Sequence, residues 1–422
     1  MSISGERAFS LLQKIGFIRC SGTAEELQAA HILLDELKSL GLECTLEAFK
    51  VHNYTIKKAT LEVLEPYQQT YEVTGLGLSG NTPADGLVAD FKYIQQASDM
   101  DLLDAKGKVV LLNGGLTVEV YERLFKAGVA GIIAYSGTVI DDPALTDLQV
   151  RAIRAKHLEV GQIPGVTLRA SDAFDMVKNK ATKVRMVLEQ DDYEVDSHNV
   201  YATLQGTDYP EEEIAFMGHY DSVPFSTGVY DNGAGSVILM ELVRHYLAHP
   251  PKRTLRFMWF GSEEKGLLGS KAYVATAEED ALKAIKLGIN VDVAGPIMGE
   301  DRAIVTADNS LCTYIEYLAK EVGFSIAVKQ DTYSSDSIPF ANKGIPCVNF
   351  CRFGSPGCAM IHSRYDILDY LSGESLENTA RFVQTFSDRV INAPLFPVEQ
   401  KMPANMVEAV DKYLQKKKSD TK

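Results

Sequence analysis

Three segments between Ile214 and Ser270 decide the fold: IAFMGHYDSV (214–223), GVYDNGAGSVILMELVRHY (228–246) and TLRFMWFGSEEKGLLGS (254–270). Apolar, strand-like runs pass into turns that carry an imidazole or carboxylates, and two of the segments continue into helices. His219, Asp231, Glu263 and Glu264 fall at or just past the strand ends. In an open α/β sheet, ligands bind outside the carboxyl ends of the strands. The sequence therefore expects an imidazole and several carboxylates on one rim.

Working outward, strand and helix alternate on either side of this stretch. NVYATLQG (199–206) precedes it. Further strands are expected at Lys286–Val291, Ala303–Thr306, Ser325–Lys329 and Pro346–Phe350, and further helices at Leu311–Val322, Asp336–Asn342 and Gly373–Asn392. This is a mostly parallel, doubly wound α/β pattern. Residues 5–17 and 24–40 read as helices. The second starts at SGTAEE (21–26), where Thr23 is an N-cap and Glu26 is expected to complete a capping box, and it ends at Gly41. Strands follow at Leu42–Phe49 and Lys58–Leu64. From about Glu65 to Asp196 the character changes to glycines and short strands, with helices over Val118–Ala127 and near Ala170–Lys178. The domain reading is thus discontinuous: 1–65 and 196–422 form one domain, and 66–195 is an inserted β-rich module without clustered chemistry. Its one histidine, His157, reads as a surface or packing residue. A tail helix is expected over Met406–Lys418.

Composition bounds the function. The 422 residues suggest two or three domains, and 45% hydrophobic with 23% charged residues is a globular balance. A net charge of -15 argues against nucleic acid or an anionic membrane as partner. MSISGERAFSLLQK lacks a basic n-region and an apolar core, and no apolar run approaches the roughly 20 residues of a membrane span. The expectation is a cytoplasmic protein. The oligomeric state, homo-oligomer included, is left open. Cys20, Cys44, Cys312, Cys347, Cys351 and Cys358 are expected as reduced, mostly buried thiols. Cys347 and Cys351 lie toward opposite ends of one strand, which disfavours a thiolate metal site.

The candidate ligands form a hard, imidazole-and-carboxylate set. His219 is followed two residues on by Asp221, which is placed to orient a ligating imidazole. Asp231 opens DNGAG (231–235), whose glycines permit a tight backbone at a helix start. Glu263 and Glu264 are adjacent after the apolar run RFMWF. Asp292 ends a strand in GINVDVAG (288–295), and His362 lies in a loop after the last strand. Two histidines and carboxylates without thiolates fit zinc or a similar divalent ion. Shared carboxylates fit a pair of ions about 3.5–4 Å apart, a hydrolytic arrangement. A carboxylate beside the metals that is not itself a ligand accepts the water proton, and either adjacent glutamate offers one. Taken alone, a Glu-Glu pair is usually a solvated helix start and Asp-Asn-Gly a turn. The coincidence of several such residues on successive strand ends carries the metal reading. His245 and His249, four apart near a helix end, read as a surface or helix-dipole pair.

GHYDSV, DNGAGSV, SEEKGLLGS, the VD of NVDVAG, SSDSIPF (334–340) and IHSRYD (361–366) resemble, in order, the motifs of the di-zinc aminopeptidase family. That family also contains glutamate carboxypeptidases, glutaminyl cyclases and the non-enzymatic transferrin receptor. The likeness spans most of residues 5–65 and 196–395. It implies the zinc-peptidase, phosphorylase/hydrolase-like fold with two zinc ions, cobalt or manganese being substitutes. It further implies that His219 and Asp292 bind one zinc, Glu264 and His362 the other, and Asp231 both, with a cis peptide to Asn232. Glu263 is then the general base and later the acid, and Asp221 supports His219. The inserted block resembles the protease-associated domain through GKVVLLNGG (107–115) and AGVAGIIAYS (127–136). Where many relatives have Ser-Asp-His, this chain has Ser335-Asp336-Ser337. Tyr333 is a candidate for stabilising the oxyanion, and Arg364 for meeting a substrate carboxylate or making a structural salt bridge.

These residues imply a metallo-aminopeptidase acting on peptides. The alternatives are a carboxypeptidase, dipeptidase or N-acyl amino acid hydrolase on the same site, with Arg352 or Arg364 as the cationic group. A catalytically inactive binding protein is the alternative of another class, disfavoured because each expected ligand and the base are present.

Overall fold

The structure, a computed structural model, describes residues 2–416. The chain divides into two compact units, Met1–Val51 with Asp196–Lys422, and His52–Val195. Residues 52–65 thus belong to the second unit, whereas the sequence reading drew the boundary at 65. The reason is local. Instead of two strands, Cys44–Glu65 is one continuous strand. Val51 and Asn53 are both buried in it, so the polar HNY segment (52–54) keeps the two-residue alternation rather than breaking it.

The first unit is built on a sheet in the order Ala327–Gln330, Gly299–Thr306, Cys347–Gly354, Ile285–Val291, Tyr209–His219, Arg253–Phe260 and the end of Lys183–Leu204. Four of these pairings are parallel and two antiparallel, which is the mostly parallel α/β sheet expected. Tyr209–His219 runs through the middle, with Phe260 opposite His219 and Asn290 opposite Met217. The helix Ala234–Ala248 is buried on nearly all sides, and one sheet face is filled by Phe216 stacked on Phe257 at 4.9 Å. A buried strand needs apolar residues on both faces, and RFMWF supplies them.

The second unit has the strands Leu87–Ile94, Val109–Leu112, Gly131–Ser136 and Gly165–Arg169 in parallel succession. Helices Val118–Lys126 and Ala170–Lys178 accompany them. Both helices fall where the sequence reading expected them. His157 is buried there, edge-on to Tyr121 at 5.2 Å, with Nε2 against the Leu116 carbonyl at 3.0 Å. The tail helix is Ala404–Tyr413. The expected continuation through Lys417 and Lys418 lies outside the described residues. Among the described residues no helix is long and apolar enough to cross a membrane.

Candidate metal centre

Each candidate ligand sits where a strand hands over to a loop. His219 is the last residue of Tyr209–His219. Asp292 follows Ile285–Val291, its amide bonded to the Phe350 carbonyl at 3.2 Å. Glu263 and Glu264 follow Arg253–Phe260. Asp231 lies in a kinked, non-helical turn within Val229–Gly233, ahead of the helix Ala234–Ala248. His362 reaches in from the loop after Cys347–Gly354. The parallel strands point their carboxyl ends the same way, so residues far apart in sequence converge.

Two groups of donor atoms result: His219, Asp231 and Asp292, and Asp231, Glu264 and His362. Asp231 is common to both. Its Oδ1 lies 3.1 Å from His219 Nε2 and its Oδ2 lies 3.2 Å from His362 Nε2. Asp292 Oδ1 is 3.5 Å from His219 Nε2, and Glu264 Oε2 is 3.0 Å from His362 Nε2. Glu263 Oε2 stands 3.9 Å from His219 Nε2. Among the described residues these are the two groups that could hold a metal ion.

The electrostatics describe a site with too much negative charge. Burial disfavours charge on His219, but Glu263, Asp221, Asp231 and Asp292 overcome it and hold the imidazole well above its ordinary pKa. Hydrogen bonds from Asp231 and Glu264 push His362 up to about 11. Burial, with Asp231 nearby, raises Glu264 to about 7, and burial raises Asp292 against the pull of His219. Burial also lifts Glu263 well above the usual carboxylate range, helped by Glu264, Asp336 and Asp292 and opposed by His219. Asp231 goes the other way: despite its burial, the two histidines lower it. Asp292 Oδ1 and Glu264 Oε1 are buried without a hydrogen-bond partner. Imidazole nitrogens and orphaned carboxylate oxygens in two adjoining groups fit divalent cations, which would supply the missing positive charge.

Around the donors lies a tight hydrogen-bond frame. Asp221 is fully buried; its Oδ1 faces His219 Nδ1 at 3.3 Å and also accepts from the Glu263 amide at 2.9 Å, while Oδ2 accepts from the Glu264 amide at 3.2 Å. It therefore does more than orient His219. The Asp231–Asn232 peptide is cis. Asn232 donates to the Val291 carbonyl at 2.8 Å and accepts from the Val293 amide at 3.2 Å, clasping both neighbours of Asp292. Gly235 is needed at this crossing, because a Cβ there would stand 2.3 Å from the Val291 oxygen.

Sequence reasoning missed Arg19 and Asp366 as parts of the site, and named Asn232 only for its cis peptide bond to Asp231. Arg19, fully buried, donates to the carbonyls of Tyr220, Thr227 (2.5 Å) and Gly228 (2.6 Å). Asp366 accepts from the amides of Tyr230 and Asp231. Asp366 was in view in IHSRYD, but Arg19 sits in a segment with no recognisable signal.

The remaining candidates fall differently. Burial raises the Tyr333 phenol, helped by the charges of Asp292 and Asp231, and its ring meets Phe353 at 5.8 Å. Ser337, at the position of the histidine of many relatives, is buried and accepts from Asn349 Nδ2 at 3.1 Å. Arg352 is committed to Asp301 at 2.5 Å and to the Pro296 carbonyl. Arg364 is exposed, two residues past His362. His245 pairs with Asp388 at 3.3 Å and stacks on His249, away from the donor groups. All six cysteines are free thiols.

The comparisons with known proteins agree with this geometry. The model of peptidase family M28 matches residues 199–387, the span that carries all the candidate ligands. Aminopeptidase YwaD of Bacillus subtilis (strain 168) is 26% identical over 386 residues, covering 86% of this chain and 79% of its own. Carboxypeptidase Q of Bos taurus is 29% identical over 287 residues, covering 64% of this chain and 60% of its own. Among solved structures, the aminopeptidase from Aneurinibacillus sp. strain AM-1 superposes with a TM-score of 0.78 at 22% identity, over 94% of this chain and 96% of that one. BSAP, a zinc aminopeptidase from Bacillus subtilis, gives 0.77 at 23% identity, over 96% and 99%. The ordered motifs, the donor groups and the matched span agree: over residues 199–387 the chain is similar to peptidase family M28.

Proposed function

We propose that this chain is a zinc-dependent aminopeptidase that removes N-terminal residues from peptides. One observation carries the reading: Asp231 offers one oxygen to each donor group, with Glu263 beside them and outside both. His219 and Asp292 would hold one zinc ion, Glu264 and His362 a second, and Asp231 both. Bound zinc polarises a carbonyl and acidifies water. Glu263 takes the proton of the attacking water and returns it to the leaving amine, a base-then-acid role suited to a carboxyl whose burial raises its affinity for protons. Asp221 keeps the His219 ring and the Glu263 amide in fixed relation. The free α-ammonium of the substrate meets this carboxylate-rich surface, and Tyr333, whose phenol burial keeps neutral, is the candidate donor to the developing oxyanion. A carboxypeptidase would need a cation for the substrate's terminal carboxylate; of the two candidates Arg352 is already engaged by Asp301, and Arg364 is exposed two residues past His362, so the test below also addresses that alternative.

The test is digestion of a peptide library with the zinc-loaded protein, each peptide present with free and with acetylated N-termini. Stepwise loss from free N-termini alone, abolished by a chelator, is the expected result. Loss from C-termini, or equal cleavage of acetylated peptides, would overturn it.

A further inference from the structure

Glu26 was expected to close a capping box on the helix that it opens. It does half of that and something else besides. Its Oε2 accepts from the Gly22 amide at 2.7 Å, one residue before the Thr23 cap, which leaves Oε1 free to face the core. Oε1 accepts three hydrogen bonds: from the Ser262 amide at 3.0 Å, from Ser262 Oγ at 3.2 Å and from Ser197 Oγ at 2.9 Å. Ser262 Oγ also lies 2.7 Å from Ser197 Oγ and 2.5 Å from Ser21 Oγ. Glu26, Ser21, Ser197 and Ser262 are all buried.

Ser262 immediately precedes Glu263 and has φ of 57°, a left-handed conformation that a serine holds only when its surroundings impose it. The next two amides, of Glu263 and Glu264, go to Asp221. Three successive backbone N–H groups are thus gripped by two buried carboxylates from distant parts of the chain. Burial, with Asp221 nearby, raises Glu26 to about 8, so its hold on Ser262 rests on buried hydrogen bonds that are costly to leave unmade rather than on charge. A capped helix alone needs none of the contacts to Ser262.

We propose that Glu26 is a positioning residue for Glu263: through Ser262 it holds the backbone from which the base carboxylate projects. The inference rests on the reading of Glu263 as the general base. Glu26 touches neither substrate nor metal. Its contribution lies in keeping the turn in the one conformation that aims Glu263 past His219, and a misplacement of the order of 1 Å costs about a hundredfold in rate.

The experiment compares Glu26→Ala, Glu26→Gln and Glu263→Gln with the native zinc-loaded enzyme, measuring kcat, KM, the pH profile of kcat, zinc per chain and melting temperature. Glu26→Ala is expected to lower kcat at least about tenfold and to shift the acid limb of the profile, with KM and zinc per chain unchanged. Glu26→Gln keeps an oxygen toward Ser262 but turns its NH2 on the Gly22 amide, so it is expected to recover kcat relative to Glu26→Ala while lowering the melting temperature. A Glu26→Ala protein with lowered melting temperature but native kcat and native pH profile would overturn the proposal. Should Glu26→Ala fail to fold, Glu26→Asp decides: one methylene shorter, it cannot span from the Gly22 amide to the Ser262 amide, so a native kcat and pH profile overturn the proposal and a reduced kcat with native zinc content supports it. Glu263→Gln separates the two failures. If that variant stays active, the base reading is wrong; if it is inactive while Glu26→Ala is normal, only the positioning role is wrong.

Discussion

The carboxylate of Asp366 accepts the backbone amide of Asp231 at 3.1 Å. It also takes the Tyr230 amide at 2.7 Å and the Ser226 hydroxyl at 3.1 Å. A residue four positions past His362 therefore fixes the turn that carries the shared ligand, so the loop bearing one histidine and the turn bearing Asp231 move as one piece. Asp366→Asn puts an amide NH2 where a backbone N–H must be accepted. A buried donor left unsatisfied costs about 1–3 kcal/mol. We expect a lower melting temperature and a loss of bound zinc, read as metal per chain after dialysis. Native zinc content in a folded Asp366→Asn protein would refute the coupling.

The adjacent glutamates should separate cleanly. Glu263→Gln is expected to lower kcat by about 10²–10⁴-fold, the usual range for losing a general base, with zinc content kept. Glu264→Gln is expected to lose zinc, because Glu264 pairs with His362 in its donor group. Metal analysis beside steady-state kinetics on one peptide distinguishes the two. Equal zinc loss in both variants would mean that the roles are wrongly divided.

Zinc uptake should release protons. In the metal-free site His362 is raised to about 11 and Glu264 to about 7, so both hold protons near neutrality that a bound cation must displace. The sign follows: affinity falls as pH drops from 8 to 6, because protons compete for the same atoms. Titration calorimetry in buffers of different ionisation enthalpy counts the protons released. A pH-independent affinity with no proton release would contradict these protonation states.

Gly235 should tolerate no side chain. Its added Cβ would lie 2.3 Å from the Val291 oxygen and 2.4 Å from Asn232 Oδ1, both fixed groups next to ligands. Overpacking of this kind costs about 1–3 kcal/mol or more. Gly235→Ala is expected to unfold at lower denaturant and to bind zinc less tightly, as measured by urea melts with and without added zinc. A native midpoint would show that the crossing is looser than the contacts imply.

The convergence of the candidate donors was legible in the sequence because strand-end chemistry is local. An apolar run such as RFMWF announces its strand, and a carboxylate just past its end is exposed to the rim by geometry alone. The frame was not legible, because it depends on which distant segments meet. Nothing near Arg19 announces that its guanidinium will be wrapped by the carbonyls of Tyr220, Thr227 and Gly228. Glu26 was misread for a related reason. Its spacing from Thr23 satisfies a local rule, and the tertiary partner Ser262 outweighs that rule. The break expected between Phe49 and Lys58 fails in the other direction, since polar residues in strict alternation extend a strand as well as apolar ones do.

The strand that leads into the second unit, Cys44–Glu65, pairs with the strand that leads out, Lys183–Leu204, and Lys50 meets Asp196 at 2.9 Å where they part. A long excursion of chain is thereby tied off at its neck. For the segment bearing Arg19 and Glu26, the search for Gly228 and Ser262 then begins from an anchored point rather than from the end of a long, free coil. Loop-closure entropy grows with the length of flexible chain between two contacts, and a folded insert with its ends together counts as a short connection. The insert thus lets the amino-terminal helices and the catalytic turns close on each other as though they were near neighbours in sequence.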